Sequence, residues 1–294
     1  MAHTFHPDLR AARFFPRTVF AGPRSVHLVR TLSSLGSSAN GSGPRVLLFR
    51  PEGDASGLPA LLWLHGGGLT VGTARQDAAY CRRVADELGI VVASVDYRLA
   101  PEHPFPAPLE DAYTALRWLA ARPEVDAGRI AVGGASAGGG LAAALALLAA
   151  ERGEIRPVFQ LLVYPMLDDR TTLRTDVDEA ALRIWSPKAN RYGWQSYLGD
   201  AIGTDAVPPL AAPARYADLS GAPPAWIGVG SLDLFHDEDV AYAQRLRDAG
   251  VACELTIVPG AYHGFYDLQR TARVSLRFVE EQIAALAGGL GVRA

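Results

Sequence analysis

Residues 129–140, RIAVGGASAGGG, decide how the rest of the chain is read. An apolar run enters a burst of glycine and alanine around one hydroxyl, Ser136, and four readings compete: phosphate cradle, dinucleotide fingerprint, nucleophile turn, close packing. A phosphate-binding loop needs a lysine and a hydroxyl after its last glycine, and neither follows Gly138. A dinucleotide fingerprint fits loosely as Gly138, Gly140 and Ala143, but that register falls inside the following helix instead of in the strand-to-helix turn. The third reading takes Gly134 to Gly138 as GxSxG between a strand, RIAV (129–132), and a helix, LAAALALLAA (141–150). A sharp turn strains the backbone at the serine, so the residues two before and two after must be small. It lifts the hydroxyl above the sheet at the positive end of the helix dipole, where developing negative charge is stabilised. Taken alone, the motif is matched equally well by tight helix-to-sheet packing in a chain with 30 glycines.

Aliphatic and β-branched runs recur on both sides of it: 46–49, 60–64, 90–95, 159–164, 225–229 and 253–258. Near-continuous apolar runs indicate strands buried on both faces. Helical stretches lie between them at 76–89, 108–121, 137–151, 239–249 and 270–288. This rhythm predicts an α/β fold, a mostly parallel central sheet with helices on both faces. It lapses at 1–22 and at 168–215, where Trp185, Tyr192, Trp194 and Tyr197 gather among prolines and charges. These two regions are expected to form a helical cap on a catalytic domain made of 23–167 and 216–294. The turn-rich stretch 31–44 (TLSSLGSSANGSGP) reads as a mobile hairpin connection between VHLVR and VLLF.

The chain has 294 residues, 49% hydrophobic and 20% charged, enough for a large core. A net charge of -3 with no basic stripe argues against nucleic acid as a partner. The most apolar segment, 141–150, is half the ~20 residues that a membrane span requires, so no span is expected. The N-terminus lacks the basic start, apolar run and cleavage site of an export signal. Cys81 and Cys253 read as two buried thiols, which favours a reducing compartment. The expectation is a cytoplasmic protein, with a homodimer among the assemblies open to it.

A serine attacks efficiently only when a base removes its proton and an acid orients that base. Of seven histidines, only His263, in VPGAYHGF, follows a strand-like run where the last strand of such a sheet would end. His3, His6 and His27 lie upstream of the main sheet, His65 heads a glycine run, His103 sits among prolines and His236 lies in an acidic turn. Asp233, first after AWIGVG, is the expected acid, and Asp237, Glu238 and Asp239 are expected to cap the next helix. A metal site built on His236 lacks a second histidine or a matching ligand set, so no metal is expected. The order Ser136, Asp233, His263 is that of an α/β-hydrolase triad. Donors for the oxyanion are sought in His65-Gly-Gly-Gly68 after ALLWL, where glycines let backbone amides turn toward a substrate.

With HGGG (65–68), DYRLAPEHPFPAPLED (96–111), GASAGG (134–139), YP (164–165), DLFHDE (233–238) and HGF (263–265), the chain resembles hormone-sensitive-lipase-like bacterial esterases. The resemblance runs from about residue 45 to the end and implies a capped α/β-hydrolase that cleaves carboxylic esters without a cofactor. Carried over, it makes Ser136 the nucleophile, His263 the base, Asp233 the acid, and the amides of Gly67, Gly68 and Ala137 the oxyanion hole. Three positions depart from the pattern. Ala135 stands where the family has an acidic residue or threonine, Leu234 where it has proline, and Leu69 where an aromatic commonly follows HGGG. None removes a group that the chemistry needs. The resemblance favours short acyl chains in a small-molecule ester. Leu69, Trp185, Trp194 and Tyr197 are expected to line the pocket, with the cap's own core as the alternative for the aromatics. The same residues would serve an amide, thioester or lactone, and a small-ligand receptor on this fold is the rival from another class.

Overall fold

The computed structural model describes residues 4–9, 27–29, 44–51 and 56–293. Its elements run β1 (His27–Val29), β2 (Arg45–Phe49), β3 (Leu58–Leu64), α1 (Ala78–Leu88), β4 (Val91–Asp96), α2 (Ala107–Ala120), β5 (Val125–Ala135) and α3 (Ala137–Arg152). There follow β6 (Phe159–Val163), α4 (Pro187–Leu198), β7 (Ala225–Gly230), α5 (His236–Asp248), β8 (Cys253–Val258), α6 (Phe265–Leu268) and α7 (Arg273–Leu290). The strands form one eight-stranded sheet in the order β1-β2-β4-β3-β5-β6-β7-β8. Among the described residues, only β1 with β2 and β2 with β4 pair antiparallel; the rest is parallel.

The apolar runs have the consequence expected of them. Every residue of β6 and β7 is buried, and alternate residues of β3 feed two separate cores. Leu62 and Leu64 pack with α2 and α3, whereas Leu61 and Trp63 face α1 and α7. In α3, all residues from Ala137 to Ala149 are buried, which explains why that helix is apolar all round.

Two expectations need correction at the far edge. CELTIV was expected as a strand buried on both faces, but β8 ends the sheet and Ile257 is 40% exposed. For the same reason Cys253 is only partly buried, whereas Cys81 is fully covered.

Residues 168–215 hold no strand among the described residues. They contain a 3-10 turn (Asp169–Leu173) and α4, which starts at Pro187 and is capped by Ser186 accepting from the Ala189 N–H at 3.2 Å. The ends of the segment are tied together by Asp169, which is wholly buried. It receives Arg215 through two hydrogen bonds of 2.6 and 3.0 Å and the Gly203 N–H at 2.6 Å. The N-terminal residues 4–9 dock against the loop after β8, with His6 N–H donating to the Gly260 carbonyl at 2.8 Å. The Arg183 guanidinium, from the 168–215 segment, sits 4.6 Å from the Phe5 ring centroid. The rest of the expected N-terminal cap part, and the connection expected at 31–44 apart from Pro44, lie outside the described residues.

Candidate active site

Ser136 joins β5 to α3 with φ 57° and ψ -122°, a left-handed conformation that a side chain adopts only under constraint. The constraint is visible on both sides. The Ser136 N–H donates to the Val163 carbonyl at 2.8 Å, and its own carbonyl accepts from Gly140 and Met166, each at 3.0 Å. A Cβ on Gly138 would stand 2.0 Å from the Leu64 carbonyl oxygen, and one on Gly134 would stand 2.4 Å from the Gly138 backbone. The glycines of GxSxG are therefore demanded by three backbone segments converging at the serine.

Asp233 follows β7, and its Oδ1 accepts from the Phe235 N–H at 2.9 Å, which fixes the carboxylate. His263 follows β8. Its Nδ1 lies 2.8 Å from Asp233 Oδ2 and its Nε2 lies 3.0 Å from Ser136 Oγ. All three side chains are buried, at 6% exposure for each residue. Residues separated by 127 positions thus meet because the parallel strands carrying them end on the same side of the sheet. The arrangement can pass a proton from the hydroxyl to the imidazole while the carboxylate holds the ring.

The glycine run after β3 lies beside the serine. A Cβ on Gly66 would meet the Ala135 carbonyl at 3.1 Å and Ser136 Cβ at 3.4 Å. Gly67 and Gly68 have φ 127° and 60°, and no acceptor for their N–H groups is found among the described residues. Ala137 is the first residue of α3, where a backbone N–H has no partner within the helix. His65 anchors this loop: its ring stacks on Tyr97 at 4.2 Å, while Tyr97 donates its hydroxyl to the His65 carbonyl at 2.7 Å. Burial lowers the His65 pKa, which favours the neutral ring.

The four expected pocket residues separate. Trp185 is half-buried and reaches the site, with its ring 6.3 Å from that of His263. Leu69 follows the glycine loop at φ 65° and is 4% exposed. Trp194 and Tyr197 are corrected: at 1% and 2% exposure they sit in the core, and their ring contacts run to each other and to Phe105. They lie on α4, whose inner face presses on the protein; a Cβ on Gly193 would stand 2.7 Å from the Gly68 carbonyl oxygen.

A second correction concerns the acidic turn after Asp233. Asp237 stays at the surface and pairs with Arg174 and His236. Glu238 turns inward and accepts from the Leu167 and Asp168 N–H groups, at 2.7 and 3.2 Å, and from the Thr171 hydroxyl. Burial pushes its pKa up to about 8. Asp239 is wholly buried, with no hydrogen-bond partner for either oxygen among the described residues, and burial raises its pKa well above the carboxylate range. The first turn of α5 is acidic, as a helix dipole favours, but two of its three carboxyls serve the interior.

Sequence reasoning missed the aromatic surround of His263. Tyr164 approaches at 4.6 Å between ring centroids and Phe235 edge-on at 5.2 Å. The YP motif marked Tyr164, but its contact with the imidazole depends on β6 and β8 ending together. Among the described residues no group of three or more His, Cys, Asp or Glu side chains could hold a metal ion.

Comparison with known proteins identifies the family. The family model described as the alpha/beta hydrolase fold matches residues 61–267. The chain is 38% identical to the carboxylic ester hydrolase LipN of Mycobacterium tuberculosis over 246 residues, covering 81% of this chain and 65% of that protein. It is 37% identical to the ethyl acetate hydrolase of Pseudomonas putida, covering 75% of this chain and 70% of that protein. It thus spans about two thirds of the length of these curated relatives. Among solved structures it resembles Bacterial Heroin Esterase, with a TM-score of 0.84 and 39% identity over 92% of this chain and 85% of that one.

Proposed function

Because this chain belongs to the α/β-hydrolase family, in its hormone-sensitive-lipase-like branch, we propose that it hydrolyses small, short-acyl carboxylic esters through an acyl-enzyme on Ser136. The observation that carries the proposal is the relay of 2.8 and 3.0 Å from Asp233 through His263 to Ser136. In this reading Ser136 Oγ attacks the ester carbonyl carbon as His263 Nε2 takes its proton. The carbonyl oxygen becomes an oxyanion held by the N–H groups of Gly67, Gly68 and Ala137. Asp233 keeps the imidazole in the tautomer that accepts at Nε2 and stabilises the imidazolium. On collapse, His263 returns the proton to the departing alcohol oxygen. Water, deprotonated by His263, then releases the acid and restores the serine. Residues 168–215 act as the cap over this site, supported by the approach of Trp185 and α4 to the glycine loop.

The test is turnover of p-nitrophenyl acetate and butyrate by the wild type and Ser136→Ala. The serine role is supported if the variant loses turnover and refuted if its turnover is unchanged. Matched ethyl ester, thioester and amide substrates decide which acyl bond is preferred, and a higher kcat/KM on the amide or thioester would replace the ester reading.

No helix among the described residues is long and apolar enough to cross a membrane. The two free thiols support a cytoplasmic setting, which cell fractionation would contradict by recovering the protein from an exported fraction. The edge strand β8, with Ile257 exposed, supports a homodimer, which a monomeric mass by light scattering would contradict.

A further inference from the structure

Trp185 is held in place by several features of the chain around it. The residue before it, Ile184, has φ 69°, and the Trp185 N–H donates back to the Arg183 carbonyl at 2.8 Å. That three-residue turn is rare and strained, more so on a β-branched side chain. Such strain persists only where surrounding structure enforces it, and it concentrates at ligand clamps. Ile184 itself is 52% exposed, so its own burial does not account for the turn. What the turn does is deliver the indole. Nε1 of Trp185 donates to Oδ1 of Asn190, a wholly buried residue of α4, at 3.4 Å.

The indole bridges two groups. Its six-membered ring lies over Gly68, where a Cβ would stand 2.2 Å from Cη2, and its ring system is 6.3 Å from the imidazole of His263, inclined at 39°. In the proposed reaction those two neighbours touch different oxygens of the ester. Gly68 faces the carbonyl oxygen, and His263 Nε2 must reach the alcohol oxygen to return its proton. A wall spanning both runs along the edge of the ester that joins the two oxygens. The group leaving along that edge is the alcohol; the acyl chain departs from the opposite side of the carbonyl carbon.

We propose that Trp185 is a specificity-determining residue that forms a flat aromatic wall for the alcohol part of the substrate, so that the enzyme favours esters whose alcohol carries a planar ring. The proposal rests on the esterase reading above and names the substrate class of that site. A planar ring lies against the indole face with the offset or inclined geometry that aromatic pairs prefer, whereas a puckered ring of the same size meets it only at its rim.

The test compares benzyl acetate with cyclohexylmethyl acetate, which share an acyl group and have closely matched leaving groups. Ethyl acetate, butyrate and hexanoate form the acyl series. The quantity read is the kcat/KM ratio of benzyl to cyclohexylmethyl acetate in the wild type, Trp185→Phe and Trp185→Ala. Trp185→Ala should lower that ratio by about 3- to 10-fold, the range that loss of one aromatic pair implies, and Trp185→Phe should retain most of it. The acyl-series ratios should stay within about 3-fold of the wild type, less than the cost of a misfitted methylene. An unchanged benzyl preference, or a larger movement in the acyl series, overturns the proposal. If Trp185→Ala does not fold, Trp185→Leu takes its place with the same expected loss and the same overturning result. Failure of the wild type to hydrolyse any of these esters refutes the esterase reading itself and this inference with it.

Discussion

The ring of Tyr164 lies 4.6 Å from the imidazole of His263, tilted 55° to it, and its hydroxyl donates to Asp267 Oδ2 at 3.3 Å. Tyr164 reaches this place at φ 36°, a strained value for a bulky residue, directly after β6. The ring packs against the base, so its bulk matters more than its hydroxyl. Tyr164→Phe is expected to keep kcat within about 3-fold, because only an exchangeable hydrogen bond is lost. Tyr164→Ala is expected to lower kcat by about 10- to 100-fold with a small change in KM, as a misplaced catalytic group does. Steady-state kinetics on both variants check this, and equal losses in the two would contradict it.

Gly138 in the turn and Gly288 in the last helix should respond in opposite directions. An alanine Cβ at Gly138 would stand 2.0 Å from the Leu64 carbonyl oxygen, whereas one at Gly288 in α7 would meet nothing within 4 Å. Gly138→Ala should destabilise by about 3 kcal/mol or more, since backbone must shift in a packed core. Gly288→Ala should stabilise by roughly 0.5–1 kcal/mol through helix propensity. Thermal melts of the two variants against the wild type measure both signs.

Glu238 predicts a pH dependence. Burial raises its folded pKa from 4.5 to about 8, against the pull of the Thr171 hydroxyl and the Leu167 and Asp168 N–H groups. Between those values the folded protein holds a proton that the unfolded chain has released. Stability therefore falls as pH rises from about 4.5 to about 8, and the loss is complete above the folded pKa. The slope approaches about 1.4 kcal/mol per pH unit for one such group. Asp77, which burial and the Asp267 charge push up to about 7, adds in the same sense. Glu238→Gln removes one of these contributions, so urea midpoints measured across pH 5 to 8 should decline less steeply than in the wild type; an equal decline would contradict the assignment.

Relief of strain at Ile184 should separate stability from aim. Ile184→Gly permits φ 69° without a side-chain penalty and should raise stability if the backbone stays in place, by about 1 kcal/mol. It also frees the turn that carries Trp185, so KM for ester substrates should rise while Tm does not fall. Kinetics and melting on one preparation decide it: an unchanged KM would mean that the turn does not aim the indole.

The parts of this molecule legible in the sequence are those set by local geometry or by burial on both faces. RIAVGGASAGGG and HGGG could be read because their backbones need glycine, and β6 and β7 because strands covered on both sides are near-continuous apolar runs, broken in β6 only by the buried Gln160. Residues 225–229 and 253–258 were read as the same kind of strand, yet β8 is an edge, and the polar Glu254 and Thr256 alternating with Cys253, Leu255 and Ile257 mark it as less fully covered. Trp185, Trp194 and Tyr197 looked equally suited to a pocket. Which of them met the site depended on the turn at Ile184 and on the face that α4 presses against the core. Glu238 and Asp239 read as helix-start carboxylates because the dipole argument is local, whereas Glu238 is held inward by the segment at 167–171 and Asp239 is wholly buried. Asp233 and His263 were found because the fold ends its strands on one side, which makes their order along the chain informative.

The central claim is that Ser136 is the nucleophile, and the most direct measurement is covalent capture. The wild type and Ser136→Ala are incubated with diethyl p-nitrophenyl phosphate, which transfers its phosphoryl group to an activated serine, and the adduct is located by intact-mass and peptide mass spectrometry. The expected result is one diethylphosphoryl group on the peptide containing Ser136 in the wild type, loss of esterase activity in step with it, and no adduct in Ser136→Ala. An adduct on another residue accompanied by loss of activity, or full inactivation of esterase turnover with Ser136 unmodified, would contradict the account.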